Sequence, residues 1–409
     1  MIRKEMIPVT KKEFYQILEQ IALQKPKLAR EIEELALLVE ADGSDQVDET
    51  LIQNYLAKHP SMVSCIQDHL EPAQQPSGKV FPVHKPYSNE IRQRIKLAEH
   101  NEHYRNWANA VKAVPEYTLP IPDVDGAFLR KAKDIWHQNI YGNEAILQVI
   151  LRHSIEYSKT GRTMPILLIG EPGVGKTLVA KNYGRILNLP GSFISGPSAS
   201  AGRGLSGAPN LYVGAGVGAI VQSMIDHGAG NPVICIDEIE KASGGYSRSP
   251  SFQNELLAAL DESNAAWYDN FLEIEVDASH IPFIFTANEK DLISSPLLDR
   301  MEVIKMENPT LDMIRSITRE FTLPKALKAY NGERIEFGEH ELDMLVDMLW
   351  NSGNHSCRAY QKAVELLVSN AYLDVIESDR SVRITETDIR NTTEICSHNR
   401  RTKPIGFSA

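Results

Sequence analysis

The stretch Pro165–Gly184, PILLIGEPGVGKTLVAKNYG, constrains this chain more than any other. Ile166 to Ile169 form an unbroken apolar run, the pattern of a strand buried on both faces of a parallel sheet. Gly170 to Thr177 then satisfies G-x-x-x-x-G-K-[ST] at every fixed position. Leu178, Val179 and Tyr183 follow as a helical apolar face. Strand, glycine-rich turn and helix together make a phosphate nest. The glycines let backbone N–H groups curl inward, and the helix start adds the positive end of its dipole. Lys176 is expected to reach the β- and γ-phosphates, and the Thr177 hydroxyl to ligate Mg²⁺. Contacts to the nucleotide are expected from Glu171, Pro172, Gly173, Val174, Gly175, Lys176, Thr177 and Leu178.

The chain has 409 residues, room for two or three domains, with the hydrophobic and charged content (42% and 24%) of an ordinary globular protein. No apolar run approaches the length of a membrane span, and MIRKEMIPVTKKEF lacks a signal-peptide core, so a cytoplasmic protein with no membrane partner is expected. A net charge of −11 argues against a broad nucleic-acid surface. Cys65, Cys235, Cys357 and Cys396 show no paired spacing and read as reduced thiols.

Residues 10 to 70 carry apolar positions at helical spacing, among them Leu28, Ile32, Leu35 and Leu38 or Val39. Glu71 to Pro86 is rich in proline and reads as a linker. A second helical run, Ser88 to Val114, holds Ile91, Ile95, Trp107 and Val111. This N-terminal third is either a packing domain or a docking module. Helical signal also marks Glu144 to Ser158, and again from Thr310 onward, with Thr385-Glu386-Thr387-Asp388 as a capping box before a last helix.

Two further apolar runs end in polar residues suited to phosphate chemistry. Pro232 to Ile236 leads into Asp237-Glu238: Asp237 is expected to hold Mg²⁺ through water, and Glu238 to polarise the attacking water. The alternative is an acidic strand end that caps a helix. Ile281 to Thr286 leads to Asn288, whose amide can orient the same water. Arg300, on a turn between helix and strand, can serve the γ-phosphate of a neighbouring subunit or a local ion pair with Asp299 or Glu302. Tyr141-Gly142 is either a site for an adenine ring or a capping glycine beside a core tyrosine. Tyr212-Val213, flanked by glycines and poor in basic residues, either grips a chain by packing or folds back on the body.

From about Ile140 to Arg390 the sequence resembles the ATPase module of Lon-type AAA+ proteases. The likeness rests on IYGNEAI, LLIGEPGVGKT, NLYVGAGVGAI, NPVICIDEIEK, LLAALDESN, FIFTAN, LLDRMEVI and CRAYQKAVE, in that order. It implies an α/β AAA+ P-loop core with a parallel sheet flanked by helices, a small α-helical lid domain and a helical N-terminal domain. The expected divisions are 1–86 (N-terminal helices), 87–126 (helical linker or hinge), 127–309 (nucleotide-binding domain), 310–395 (lid) and 396–409 (flexible tail). It also implies that Asn288 is sensor 1, Arg300 an arginine finger acting in trans and Arg358 sensor 2. Tyr141-Gly142 becomes the adenine contact, Tyr212-Val213 the substrate-gripping pore loop, and Gly244 to Ser251 a second pore loop. Such subunits form hexameric rings that use ATP and Mg²⁺ to pull polypeptide through a channel. About twenty residues after the Thr385 helix leave no space for a Ser–Lys protease domain, so a motor without its own peptidase is expected, acting on a protein substrate or a protease in trans. Two other classes fit less well: a nucleic-acid motor or loader, and a nucleotide-controlled assembly switch.

Overall fold

The computed structural model describes residues 34–37, 39, 78–83, 89–98, 102–201, 203–209, 214–243, 252–330 and 332–398. They belong to two compact units, 1–77 and 78–409. In the first unit residues 34–37 and 39 are helical, with Leu35 and Val39 buried one turn apart, as the apolar spacing predicts. The remaining apolar positions read there lie outside the described residues.

In the second unit β1 (Gly78–Lys79) pairs with β2 (Ile121–Pro122) in antiparallel fashion. Between them lie α1 (Asn89–Ala98) and α2 (Glu102–Ala113). Trp107 on α2 is fully buried, donates Nε1–H to the Leu272 carbonyl at 3.1 Å and carries the Arg94 guanidinium over its ring. Residues expected to form a linker thus share a core with the domain that follows, because Ile91, Trp107 and Val111 need an apolar partner.

The chain continues through α3 (Gly126–Asn139), α4 (Glu144–Thr160), β3 (Ile166–Ile169), α5 (Lys176–Leu187), β4 (Gly191–Ser195), α6 (Gly196–Ala201), α7 (Ala219–His227) and β5 (Val233–Asp237). Then come α8 (Phe252–Ala259), a hairpin of β6 (Trp267–Asp269) and β7 (Ile274–Val276), β8 (Phe283–Ala287), α9 (Ser295–Leu298) and β9 (Glu302–Lys305). Five strands form one parallel sheet in the order β4-β5-β8-β3-β9. Its three inner strands, β5, β8 and β3, are apolar on both faces because both are covered. Leu167, Ile234, Ile236 and Phe285 enter one core, while Ile166, Leu168, Val233, Cys235 and Ile284 enter the other. Burial pushes the Cys235 thiol well above its ordinary pKa, which suits an unreactive core thiol. Strand β3 lies between β8 and β9, where the strand order reverses, so a ligand crevice is expected at its carboxyl end.

A third core holds together α10 (Leu311–Ile317), α11 (Leu323–Ala329), α12 (Glu339–Asn351), α13 (Cys357–Ser378) and α14 (Glu386–His398). Strands β10 (Ile335–Glu336) and β11 (Val382–Arg383) pair in parallel beside them. Helix α14 runs three residues past the expected lid boundary at 395. Its capping box is formed: the Asp388 carboxylate accepts the Thr385 N–H at 2.8 Å, and the Asp388 N–H donates to Thr385 Oγ1 at 3.4 Å. The helix expected from Met313 to Phe321 changes register instead. Thr318–Thr322 is a π-turn in which the Leu323 N–H reaches the Thr318 carbonyl. Pro324 has no N–H to offer Glu320, so the α-ladder cannot continue unbroken there.

Candidate nucleotide-binding site

The loop at the carboxyl end of β3 turns through Gly173 (φ +89°) and Gly175 (φ +103°), left-handed conformations that favour glycine. Gly175 caps α5 without a side chain, so no side chain competes for the helix's first N–H groups. Lys176 is buried, with Nζ donating to the Gly170 carbonyl at 2.7 Å, the Glu171 carbonyl at 3.0 Å and Asn288 Oδ1 at 2.9 Å. Burial lowers its pKa; the charges of Glu240 and Asp237 oppose that, and Arg358 adds to it.

Strands β5 and β8 bring their polar ends to the same edge of the sheet. Thr177 Oγ1 lies 3.5 Å from Asp237 Oδ1, which also accepts the Thr286 hydroxyl. A hydroxyl and a carboxylate are the hard oxygen donors Mg²⁺ prefers when phosphate and water complete its shell, so these residues fit that ion. Glu238 adopts φ +57°, donates its N–H to Thr286 Oγ1 at 3.1 Å and pairs through Oε1 with Lys241 Nζ at 2.6 Å. Its carboxylate is two-fifths exposed, open to water at the mouth of the loop.

Glu240 is a site residue the sequence reading passed over. It is 5% exposed, and its Oε1 accepts both the Asn288 N–H at 3.1 Å and Asn288 Nδ2 at 2.8 Å, while Oε2 is buried without a hydrogen-bond partner among the described residues. Asn288 is thereby fixed with its amide nitrogen on Glu240 and its oxygen on Lys176. The only sequence signal was a second glutamate two residues beyond Glu238, with a buried isoleucine between.

A cleft of about 820 Å³ separates the sheet domain from the lid. Its apolar walls include Tyr141, Val174, Leu178 and Met306 on one side and Ile317 and Phe321 of the π-turn on the other. An 820 Å³ cleft with such walls beside a phosphate loop fits a purine nucleotide. Gly142 stands behind Tyr141, its carbonyl accepting Trp136 Nε1–H at 3.0 Å. Glu171 and Pro172 are exposed at the loop's mouth. The lid reaches the loop at Gly173, where an added Cβ would fall 1.9 Å from Ser356 Oγ and 3.7 Å from Arg358 Cβ. Arg358 thus joins this cluster from the first turn of α13.

Arg300 does not. It precedes β9, whose Glu302 pairs with Ile166 and whose Lys305 pairs with Ile169. Since β3 and β9 run parallel, Arg300 stands at the amino edge of the sheet, about 13 Å of strand away from the loop of its own chain. There Nη1 donates to the Pro296 carbonyl at 3.0 Å and Nη2 meets Asp261 Oδ2 at 3.4 Å. Tyr212, Val213 and residues 244–251 lie outside the described residues; the stems of the Tyr212 loop pair through Ala208 and Gly216.

Residues 166–307 match the model of the family described as "ATPase family associated with various cellular activities (AAA)". The chain is 31% identical over 288 residues to the "Lon protease homolog, mitochondrial" of Drosophila melanogaster, covering 69% of this chain and 28% of that protein. It is 31% identical over 270 residues to "Lon protease" of Porphyromonas gingivalis, covering 65% of this chain and 32% of that one. It spans about a third of the length of these relatives. A solved chain of Thermotoga maritima RuvB, a single-residue variant, is similar at a TM-score of 0.41 and 18% identity, covering 66% of this chain and 73% of that chain.

Proposed function

We propose that this chain, which carries an AAA+ P-loop domain related to that of Lon proteases, is an ATP-driven motor acting on polypeptide, its hydrolytic site shared between copies in a ring, hexameric in the family it resembles. Phosphates bind in the Gly170–Thr177 loop, and the adenine ring in the cleft beside Tyr141. Thr177 and Asp237 would hold Mg²⁺, which would supply positive charge beside the phosphates. Lys176 exchanges its carbonyl partners for phosphate oxygens, and Asn288, released from Lys176, orients water. Glu238 takes the proton from that water once its carboxylate leaves Lys241. Arg300 of an adjacent copy offsets the charge that builds on the leaving phosphate oxygens. Arg358 couples the state of the site to the lid, and the Tyr212–Val213 loop grips the polypeptide. The Lon relatives, proteases by name, favour a polypeptide over a nucleic acid as the object of the work.

The observation that carries this reading is the division of labour across the sheet. Lys176, Thr177, Asp237, Glu238 and Asn288 converge at one edge, while Arg300 stands at the other, away from its own chain's phosphate loop, which favours its use by a second copy. Glu238→Gln is expected to keep nucleotide affinity and to lower turnover by about 10²–10⁴-fold, measured as phosphate release. Near wild-type turnover in that variant removes the role given to Glu238. Tyr212→Ala is expected to spare basal ATP hydrolysis and abolish unfolding of a tethered fluorescent substrate; loss of both activities argues for a packing role instead.

A further inference from the structure

The turn that carries Arg300 is fixed from behind by three groups the nucleotide site does not use. His153 of α4 is almost fully buried, with Nε2 2.7 Å from Glu302 Oε2 and Nδ1 2.8 Å from Thr163 Oγ1. A carboxylate can only accept, so Nε2 carries the proton. Arg152, next on the same helix, donates Nη2–H to the other oxygen, Glu302 Oε1. The Glu302 N–H donates to the Pro165 carbonyl at 2.8 Å, and Met301 is buried. Backbone and side chain immediately after Arg300 are therefore held by α4 and by Pro165, the residue just before β3. The guanidinium itself is more than a third exposed and, among the described residues, has only the Pro296 carbonyl and a long contact to Asp261.

We propose that Glu302, gripped by Arg152 and His153, is a positioning residue for Arg300: the clamp fixes the root of a side chain that must meet a phosphate on another copy of the chain. This rests on the shared-site reading above. Strand β9 does not need the clamp to stay in the sheet, since four residue pairs join it to β3 and Met306 is buried beyond its end. A carboxylate on a buried histidine is also a poor choice for stability alone. A long arginine reaching across a boundary gains most from a fixed origin, because small errors of placement are costly in phosphoryl transfer. The same clamp joins the Arg300 turn to β3, which bears the chain's own phosphate loop at its far end, so the two sites that one copy serves are linked by a short strut of paired strands.

Mixed assemblies test this. Arg300→Ala copies keep an intact site but offer no guanidinium; Glu238→Gln copies offer the guanidinium but lack the water activator. Each is expected to be inactive alone, and mixing them to recover phosphate release. Glu302→Gln is expected to slow turnover about tenfold with nucleotide affinity unchanged, and Arg152→Ala, at an exposed position that spares the fold, about threefold. Counted per copy that keeps Glu238, both are expected to gain turnover when mixed with Glu238→Gln copies and none when mixed with Arg300→Ala copies, the behaviour of a defect in what a copy lends to its neighbour. A merely stabilising role would show in the unfolding midpoint alone, with no such preference between partners. Full activity of both variants, loss of nucleotide binding, or recovery with Arg300→Ala copies overturns the proposal. If the Arg300→Ala and Glu238→Gln pair itself fails to recover, the shared-site reading falls, and the clamp's role falls with it.

Discussion

At the carboxyl ends of β3, β5 and β8 stand Lys176, Asp237 and Asn288; at the amino ends of β3 and β9 stand Pro165, Arg300 and Glu302. The first group closes on itself. The Lys176 ammonium has three acceptors, Asn288 is held on both sides, and Asp237 takes the Thr286 hydroxyl. The second group is tight around Glu302 and loose at the Arg300 tip. One edge is thus complete within a chain and the other offers a cation outward. The sharpest way to break this comparison is to remove one cation from each edge. Lys176→Ala is expected to abolish nucleotide binding. Arg300→Ala is expected to bind nucleotide normally and to lose about 10³-fold or more in turnover. If both variants lose binding, Arg300 belongs to its own chain's site and the two edges do not differ in this way.

Glu240 sharpens the comparison within the complete edge. Its single bonded oxygen takes two hydrogen bonds from Asn288, so Glu240→Ala frees that side chain and leaves a half-buried N–H without that partner, at a cost of about 1 kcal/mol in stability. Turnover is expected to fall about tenfold while nucleotide affinity changes little, as for loss of an interaction made chiefly in the transition state. Binding titration beside single-turnover hydrolysis separates the two. Unchanged single-turnover rates would mean that Asn288 does its work without the hold of Glu240.

The same two edges explain what could be read before the structure. Lys176, Thr177, Asp237, Glu238 and Asn288 each follow an apolar run with the pattern of a buried strand, so their shared edge follows from parallel topology. Glu240 escaped because burial of a carboxylate leaves no periodic mark. The clamp escaped for a different reason: Arg152 and Glu302 lie 150 positions apart, and nothing local to either names the other. Arg300 was marked out by its setting and by family likeness, and its distance from the loop needed the strand register. In the lid, helical periodicity held to Ile317, where the chain passes into the π-turn that lines the cleft, the α-ladder being interrupted by the missing N–H of Pro324. The helical run that holds Trp107 was legible, but not where it packs: its indole is buried in the core it shares with the sheet.

The smallest expected effect is the pH dependence of the clamp. Burial alone would raise the Glu302 carboxyl, but the hydrogen bonds and charges of His153 and Arg152 outweigh it, and the pKa lies below the usual carboxylate value of 4.5. A depressed carboxyl pKa favours the folded state above the unfolded pKa, and this contribution is lost as pH falls through the folded value. The groups facing Glu302 are Arg152, which stays charged throughout, and His153, whose far nitrogen faces Thr163. The urea midpoint of the wild type is therefore expected to exceed that of Glu302→Gln above about pH 5, by an amount on the order of 1 kcal/mol, and the gap to close in more acid solution. A gap that persists unchanged to the acid limit would mean that the carboxylate's charge contributes nothing there. The turn bearing Arg300 would then be held by the Pro165 carbonyl and the buried Met301 alone.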